Sequence, residues 1–468
     1  MASAPRHPPS RPLEPWTPDS WRAKPQSQQP AYGDPAAVRR ATAALAELPP
    51  LVTSFEVERL RSLLAEAQTG ARFVLQGGDC AERIEDCKAG PIAQRLKILL
   101  QMSLVLTHGL GKPVVRIGRF AGQYAKPRSQ AFETRLLDGH EQTLPSYFGD
   151  LVNRQPFTAA DREPDPKRLL EGYYHAALTL NFVRALVEGG FTDWQQLDRW
   201  DLAFLGAAAL SPQRKAEYES TKAALAHSLE AGQLARWEDH TQGWQNHFYA
   251  SHEGLHLEYE QALTRNVPHR RGNYCLSTHL PWIGDRTRSL SGAHVEFFRG
   301  IRNPVGVKLG PSATPAEVRS LAEILNPSDE PGKLVFVSRL GAGQVAAHLP
   351  TWLEATGDRR ILWICDPMHG NTTLSADGFK TRSFDAIIDE FERTREVHER
   401  FGRPLGGLHC EVTATDVTEC TGGSEGPGEA NLRERYETAC DPRLNYQQSL
   451  ELAFRLAHDR RASLTPPA

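Results

Sequence analysis

Four side chains have metal-ligating chemistry: Cys80, His369 and Glu411 stand in or just after short apolar runs, and Asp441 follows the last of these in Cys440-Asp441-Pro442-Arg443. A thiolate, an imidazole and two carboxylates can close around one divalent transition metal. Their spacing fits no local metal signature, and a lone Cys or His is more often structural. A second set is cationic: Arg119, Lys126, Arg128, Arg286, Lys308 and Arg339. Any one of these is more often a solvated surface residue. Together, each following an apolar run, they predict a site for phosphate and carboxylate groups. Ser129 and Asp285 stand beside them in Lys126-Pro127-Arg128-Ser129 and Asp285-Arg286. Gly341-Ala342-Gly343 is too short for a dinucleotide loop. Cys440 adjoins Asp441 and is expected to remain reduced; His252, His279 and His409 are expected behind the site at most.

Elements must bring these residues together. Eight short runs of strand type occur at 73–76, 113–117, 248–251, 275–278, 305–308, 334–338, 361–365 and 408–412. Amphipathic stretches lie between most of them, at 91–108, 168–188, 212–232, 253–264, 291–301, 315–325, 344–355 and 384–400. Two more helices are expected before the first run, from about 36 to 48 and over 54–68. Strands alternating with helices predict an α/β (β/α)8 barrel, with an open doubly wound sheet as the alternative. In a barrel the chemistry sits where strands end, and strands one, seven and eight are neighbours. Residues 1–35, rich in Pro, Ser and Gln, read as an extended N-terminal arm. Residues 36–468 read as one barrel domain with a helical insertion over about 165–245, marked by Trp194, Trp200, Trp237 and Trp244.

Composition narrows the class. The 468 residues carry 54 Lys+Arg against 57 Asp+Glu, a net charge of −3. That balance argues against a nucleic-acid binder, and it means the cationic set must be local. Hydrophobic residues make up 40%, enough to bury a sizeable core. No stretch approaches ~18 uninterrupted apolar residues, so no membrane span is expected. The opening MASAPRHPPSRPLEPW lacks the apolar centre of a secretory signal. Seven scattered cysteines exclude a small disulfide scaffold. The expectation is a cytoplasmic enzyme with reduced thiols.

Longer motifs carry a resemblance. They are LQGGDCAE (75–82), RFAGQYAKPRS (119–129), ASHEGLHLEYE (250–260), WIGDRTR (282–288), NPVGVKLGP (303–311), LVFVSRLG (334–341), CDPMHGNT (365–372), GFKTR (378–382), VTECTGG (417–423) and RYETACDPRLN (435–445). In this order the chain resembles the type II (plant-type) 3-deoxy-D-arabino-heptulosonate 7-phosphate synthases. The resemblance implies a (β/α)8 barrel that condenses phosphoenolpyruvate with D-erythrose 4-phosphate. It implies Cys80, His369, Glu411 and Asp441 as ligands of one divalent metal, manganese or cobalt first, zinc or iron as alternatives. It implies Arg119, Lys308 and Arg339 around phosphoenolpyruvate, with Asp285-Arg286 beside them. Lys126, Arg128 and Ser129 then match the loop that takes the sugar phosphate, with Arg286 assisting. Lys308 is expected to relay a proton with Asp285 or a bound water.

Partners follow from the same resemblance: a homo-oligomer, dimer or tetramer, with chorismate mutase or aromatic amino acids as effectors. The chain also departs from the family pattern. Asp285 stands where Glu is usual, Ser277-Thr278-His279 replaces a Ser-Ala-His run, the segment 131–147 is longer, and Phe148 replaces an Arg. These departures leave open a synthase for an amino analogue of erythrose 4-phosphate. A non-catalytic regulatory homologue is a further alternative, disfavoured because every presumed ligand and core cation is present.

Overall fold

The computed structural model describes residues 15–137, 139–189 and 247–462, with a few positions between 212 and 223. Eight parallel strands close into a barrel: β1 (Phe73–Gly78), β2 (Val114–Arg119), β3 (Phe248–Glu253), β4 (Leu280–Ile283), β5 (Val305–Leu309), β6 (Leu334–Ser338), β7 (Ile361–Cys365) and β8 (Gly407–Glu411). Each strand pairs with its sequence neighbours, and β8 pairs with β1. Their residues are almost all buried, which is why they read as continuous rather than alternating apolar runs.

Helices cover the outside. Ser54–Gln68 and Pro315–Leu325 each begin with a reciprocal capping box, Thr53 with Glu56 and Thr314 with Glu317. Val345–Thr356 and Phe384–Arg400 follow β6 and β7. Ala89–Leu110, after β1, packs on the last described helix, Tyr446–Ala462, which the sequence reading lacks. Gly109 meets Ala457 there so closely that a Cβ on Gly109 would lie 2.2 Å from the Ala457 Cβ. No helix among the described residues is long and apolar enough to cross a membrane.

The fourth strand differs from the sequence expectation for a physical reason. The fourth strand is Leu280–Ile283 rather than 275–278. Asn273–Cys275 instead pairs antiparallel with Thr264–Asn266. The Asn303 carboxamide holds Cys275 and Thr278 in that turn, at 2.8–3.2 Å. Pro281, inside the true strand, masks it, because proline normally argues against an interior strand. An antiparallel hairpin, Phe132–Leu137 with His140–Pro145, occupies the lengthened segment. The first helix of the expected insertion is present as Lys167–Glu188. Its continuation, including the helix over 212–232 and the four tryptophans, falls almost wholly outside the described residues.

From residue 15 onward the N-terminal arm lies on the barrel. Trp21 is buried, and its indole N–H donates to Gln261 Oε1 at 2.9 Å. The Trp16 indole donates to the Glu296 carbonyl at 3.0 Å.

Candidate active site

Strand register sets the first shared level. Gly78 pairs with Arg119 of β2 on one side and with Glu411 of β8 on the other. Its φ of 141° turns the chain into Asp79-Cys80, and a Cβ there would lie 3.0 Å from the Arg119 carbonyl oxygen. That position therefore suits glycine. Cys80 Sγ, a Glu411 carboxylate oxygen and an Asp441 carboxylate oxygen lie within 4.8 Å of one another. Asp441 reaches them from the loop after β8, which is stitched back by Leu444 N donating to the Glu411 carbonyl at 3.0 Å. Arg443 braces this loop against the Cys80 loop: it donates to Asp79 Oδ1 and to Glu419 Oε1, both at 2.7 Å.

His369, four residues beyond β7, places Nε2 3.1 Å from Glu411 Oε1. Its Nδ1 lies 2.7 Å from Asp366 Oδ2. With a metal bound, an Nδ1–H donated to that carboxylate would leave the Nε2 lone pair facing the cluster, as a ligand requires. Arg119 and Arg382 donate to the two oxygens of Glu411 at 2.9 and 2.7 Å. Burial opposes the charge on Glu411, but His369, Arg119, Arg382 and Lys126 hold its carboxyl well below the usual range. Asp441 is likewise held well below its ordinary value against burial, by Lys126 first.

Lys126 completes this picture from within. Its ammonium lies 2.8 Å from Cys80 Sγ, 3.1 Å from Asp441 Oδ2 and 3.8 Å from Glu411 Oε1. Burial works against that charge, yet Cys80, Asp441 and Glu411 keep its pKa well above the lysine value. Three donors that gather a cation in this way fit a divalent ion by chemistry as well as by distance.

The expected cations meet in one polar cavity of about 220 Å³ at the strand ends. Arg119, Lys126, Arg128, Ser129, Asp285, Arg286, Lys308, Arg339, His369 and Asp441 all line it. Arg286 and Ser129 stand at its exposed rim, while Arg119 is 1% exposed. Arg119 is already held on several sides, by the Asp79 and Cys80 carbonyls, His409 Nε2 and Glu411. Burial and the Lys308 charge lower the His409 pKa well below 6.5, so a neutral ring accepts from Arg119 at 2.6 Å.

Lys308 has a partner that the sequence did not point to. Its ammonium donates to Asp366 Oδ2 at 2.9 Å, and Asp285 is committed elsewhere. Asp285 takes bonds from Gly310 N, Arg288 Nε and Arg339 Nη1 at 2.9–3.0 Å. Asp366 thus links the candidate ligand His369 to Lys308. It is fully buried and stays ionised against burial because His369 and Lys308 face it.

Glu253, Asp366, Lys380 and Arg382 belong to this site without having been singled out for it, and His409 stands behind it against Arg119. Glu253 ends β3 and lines the cavity; a Cβ on Gly284 would lie 2.0 Å from its Oε1. Burial raises the Glu253 pKa, tempered by Lys126, Lys308, Arg286 and Arg119. Its position at a strand end was the available signal. Lys380 donates to Asp441 Oδ1 at 2.9 Å from the hairpin after β7. Nearby His252-Glu253-Gly254-Leu255-His256 has the HExxH spacing, but it spans a strand end rather than a helix. His252 Nε2 faces Glu260 and His256 Nε2 faces the Tyr32 hydroxyl, so the two rings do not converge on a metal.

Known proteins resemble this chain over nearly its whole length. Residues 16–457 match the model of the Class-II DAHP synthetase family. A phospho-2-dehydro-3-deoxyheptonate aldolase of Streptomyces coelicolor is 47% identical over 442 residues, covering 94% of this chain and 96% of the relative. Enzymes of the same name from Neurospora crassa and Mycolicibacterium smegmatis are each 43% identical, covering 94% of this chain and 94% and 93% of theirs. Every stretch that builds the cavity, from Cys80 to Asp441, falls inside the matched span, and the chain belongs to the Class-II DAHP synthetase family.

Proposed function

We propose that this cavity condenses phosphoenolpyruvate with D-erythrose 4-phosphate to give 3-deoxy-D-arabino-heptulosonate 7-phosphate and inorganic phosphate. The observation that carries the reading is the shared wall: cations for a phosphorylated carboxylate line one cavity with His369 and Asp441, two of the four candidate metal donors, and Asp366 links His369 to Lys308. Cys80, His369, Glu411 and Asp441 would hold the ion, which when bound supplies Lewis-acid polarisation of the acceptor aldehyde.

The chain's own residues account for the rest. Lys308, Arg339 and Arg286, with Arg119 beneath them, neutralise the donor's carboxylate and phosphate. Carbon 3 of the donor attacks the aldehyde carbon, whose oxygen becomes a hydroxyl with a proton from the Lys308 ammonium, and positive charge builds at carbon 2. Water adds at carbon 2, and phosphate leaves by carbon–oxygen cleavage. Asp285 keeps Arg339 oriented through its 3.0 Å contact. Glu253, a cavity carboxylate whose pKa burial raises, is the group that takes the proton lost by the incoming water. Arg128, Ser129 and Lys126 form the loop for the acceptor's phosphate.

Phosphate release from purified protein tests the reading. Both substrates together should release phosphate, neither alone should, and chelation should abolish release until manganese or cobalt is returned. Turnover that is indifferent to chelation would overturn the metal assignment; no turnover with both substrates would overturn the reaction.

A further inference from the structure

The loop 126–129 does not hold its own backbone. Arg128 N–H donates to Gln28 Oε1 at 2.8 Å, and Gln28 Nε2 donates to the Arg128 carbonyl at 3.0 Å. One carboxamide from the N-terminal arm therefore satisfies both backbone groups of Arg128, closing the ring that a neighbouring strand would otherwise make. Asparagine is one methylene shorter, and a carboxylate accepts without donating. Gln28 has φ 58°, a left-handed conformation uncommon for a residue with a Cβ. Backbone strain of this kind persists where the surroundings demand it.

The surroundings are visible on both sides. Before Gln28, the Pro25 carbonyl accepts from Ala293 N at 3.0 Å. After it, the Gln29 side chain donates to the Leu255 carbonyl at 2.7 Å and accepts from Leu257 N at 3.0 Å. The Tyr32 hydroxyl meets His256 Nε2 at 2.6 Å. These anchors lie just beyond β3 and β4, the strands that deliver Glu253 and Asp285-Arg286. The arm thus ties the loop to the strand ends that face it across the cavity. On its side-chain face, Arg128 is held by Glu133 of the hairpin at 3.2 Å, so Gln28 is its backbone counterpart.

We propose that Gln28 is a positioning residue for the acceptor-phosphate loop, holding the Arg128 backbone so that Arg128 and Ser129 face the cavity. This rests on the reading of residues 126–129 as the sugar-phosphate loop. Kinetics of the full chain with Gln28→Ala, Gln28→Gly and Gln28→Glu, loaded with manganese, test it. Loss of two neutral hydrogen bonds predicts a KM for erythrose 4-phosphate raised about tenfold in Gln28→Ala and Gln28→Gly, and loss of the donor alone predicts a smaller rise in Gln28→Glu. The KM for phosphoenolpyruvate should stay within about twofold. Gln28→Gly loses the same bonds as Gln28→Ala but relieves the left-handed φ, so its melting temperature should lie above that of Gln28→Ala while the two KM values agree. That separates a lost clamp from lost stability.

Amide exchange of the peptide spanning 127–131 should be faster in Gln28→Gly. An unchanged KM for erythrose 4-phosphate, an equal rise for both substrates, or unchanged exchange would overturn the proposal. If the parent protein shows no turnover of erythrose 4-phosphate, the functional reading falls. Faster exchange in Gln28→Gly would still uphold the clamp in that case.

Discussion

At the residue scale, Asp366 and Lys308 decide how the two halves of the site communicate. Lys308 carries its charge in a buried place because Asp366 is 2.9 Å away. Burial still lowers its pKa, with Arg119 adding to that, so its proton is held less firmly than that of an ordinary lysine. Lys308→Met removes that charge while leaving the His369–Asp366 pair intact. It should reduce kcat by at least about a hundredfold, as for loss of a preorganised cationic donor. Metal binding, followed by calorimetry with manganese, should persist. Retained turnover would remove Lys308 from the chemistry; loss of metal binding would mean that it acts by holding the ligands. Asp285 has a supporting place in this geometry: its oxygens are occupied by Arg288, Gly310 and Arg339. The shorter Asp therefore serves by holding Arg339 rather than by reaching Lys308.

At the element scale, the closing contact of the barrel is between Ala89–Leu110 and Tyr446–Ala462. Two opposing effects meet at Gly109. Replacing a helical glycine with alanine gains at most about 1 kcal/mol of helix propensity, and less in the last turn, where Gly109 stands. Here the new methyl would approach the Ala457 Cβ to 2.2 Å, its Cα to 2.6 Å and its carbonyl oxygen to 2.7 Å. Backbone cannot rotate aside as a side chain can, and overpacking of this kind costs about 1–3 kcal/mol. Gly109→Ala should therefore lower the urea midpoint despite the better propensity, whereas Gly343→Ala, where a Cβ meets nothing within 4 Å, should not show that penalty. Strand four shows how local cues can mislead. The apolar run at 275–278 has the composition of a barrel strand, but Asn303 and Glu260 bind it into a turn. Leu280–Ile283 takes the ladder place although it contains Pro281.

For the whole molecule, burial of neutral imidazoles predicts a pH dependence of stability. His256, His294 and His398 have their pKa lowered to about 4, in each case chiefly by burial. The unfolded value is near 6.5, so between about 6.5 and 4 the unfolded chain binds more protons than the native one. Their stabilisation is complete above about pH 6.5 and is lost as pH falls toward 4. The ceiling is about 3 kcal/mol for each group. His398 packs against Trp363, 6.1 Å between ring centroids, away from the cavity. His398→Phe should flatten the stability profile between pH 6.5 and 4 by about one proton, measured by urea unfolding across that range. An unchanged slope would show that His398 does not take up a proton on unfolding. The sequence by itself determined the alternation of strand and helix, because parallel barrel strands buried on both sides are short continuous apolar runs. It also marked Cys80, Arg119, Lys308, Arg339, His369 and Glu411, because they sit on or just past those runs. Only the tertiary structure decided that Asp366 rather than Asp285 partners Lys308, that Glu253 enters the cavity, and that Gln28 holds Arg128 from one hundred residues away. Those contacts depend on closure, strand register and the path of the arm, which fix distances between residues remote in sequence and leave no periodicity behind.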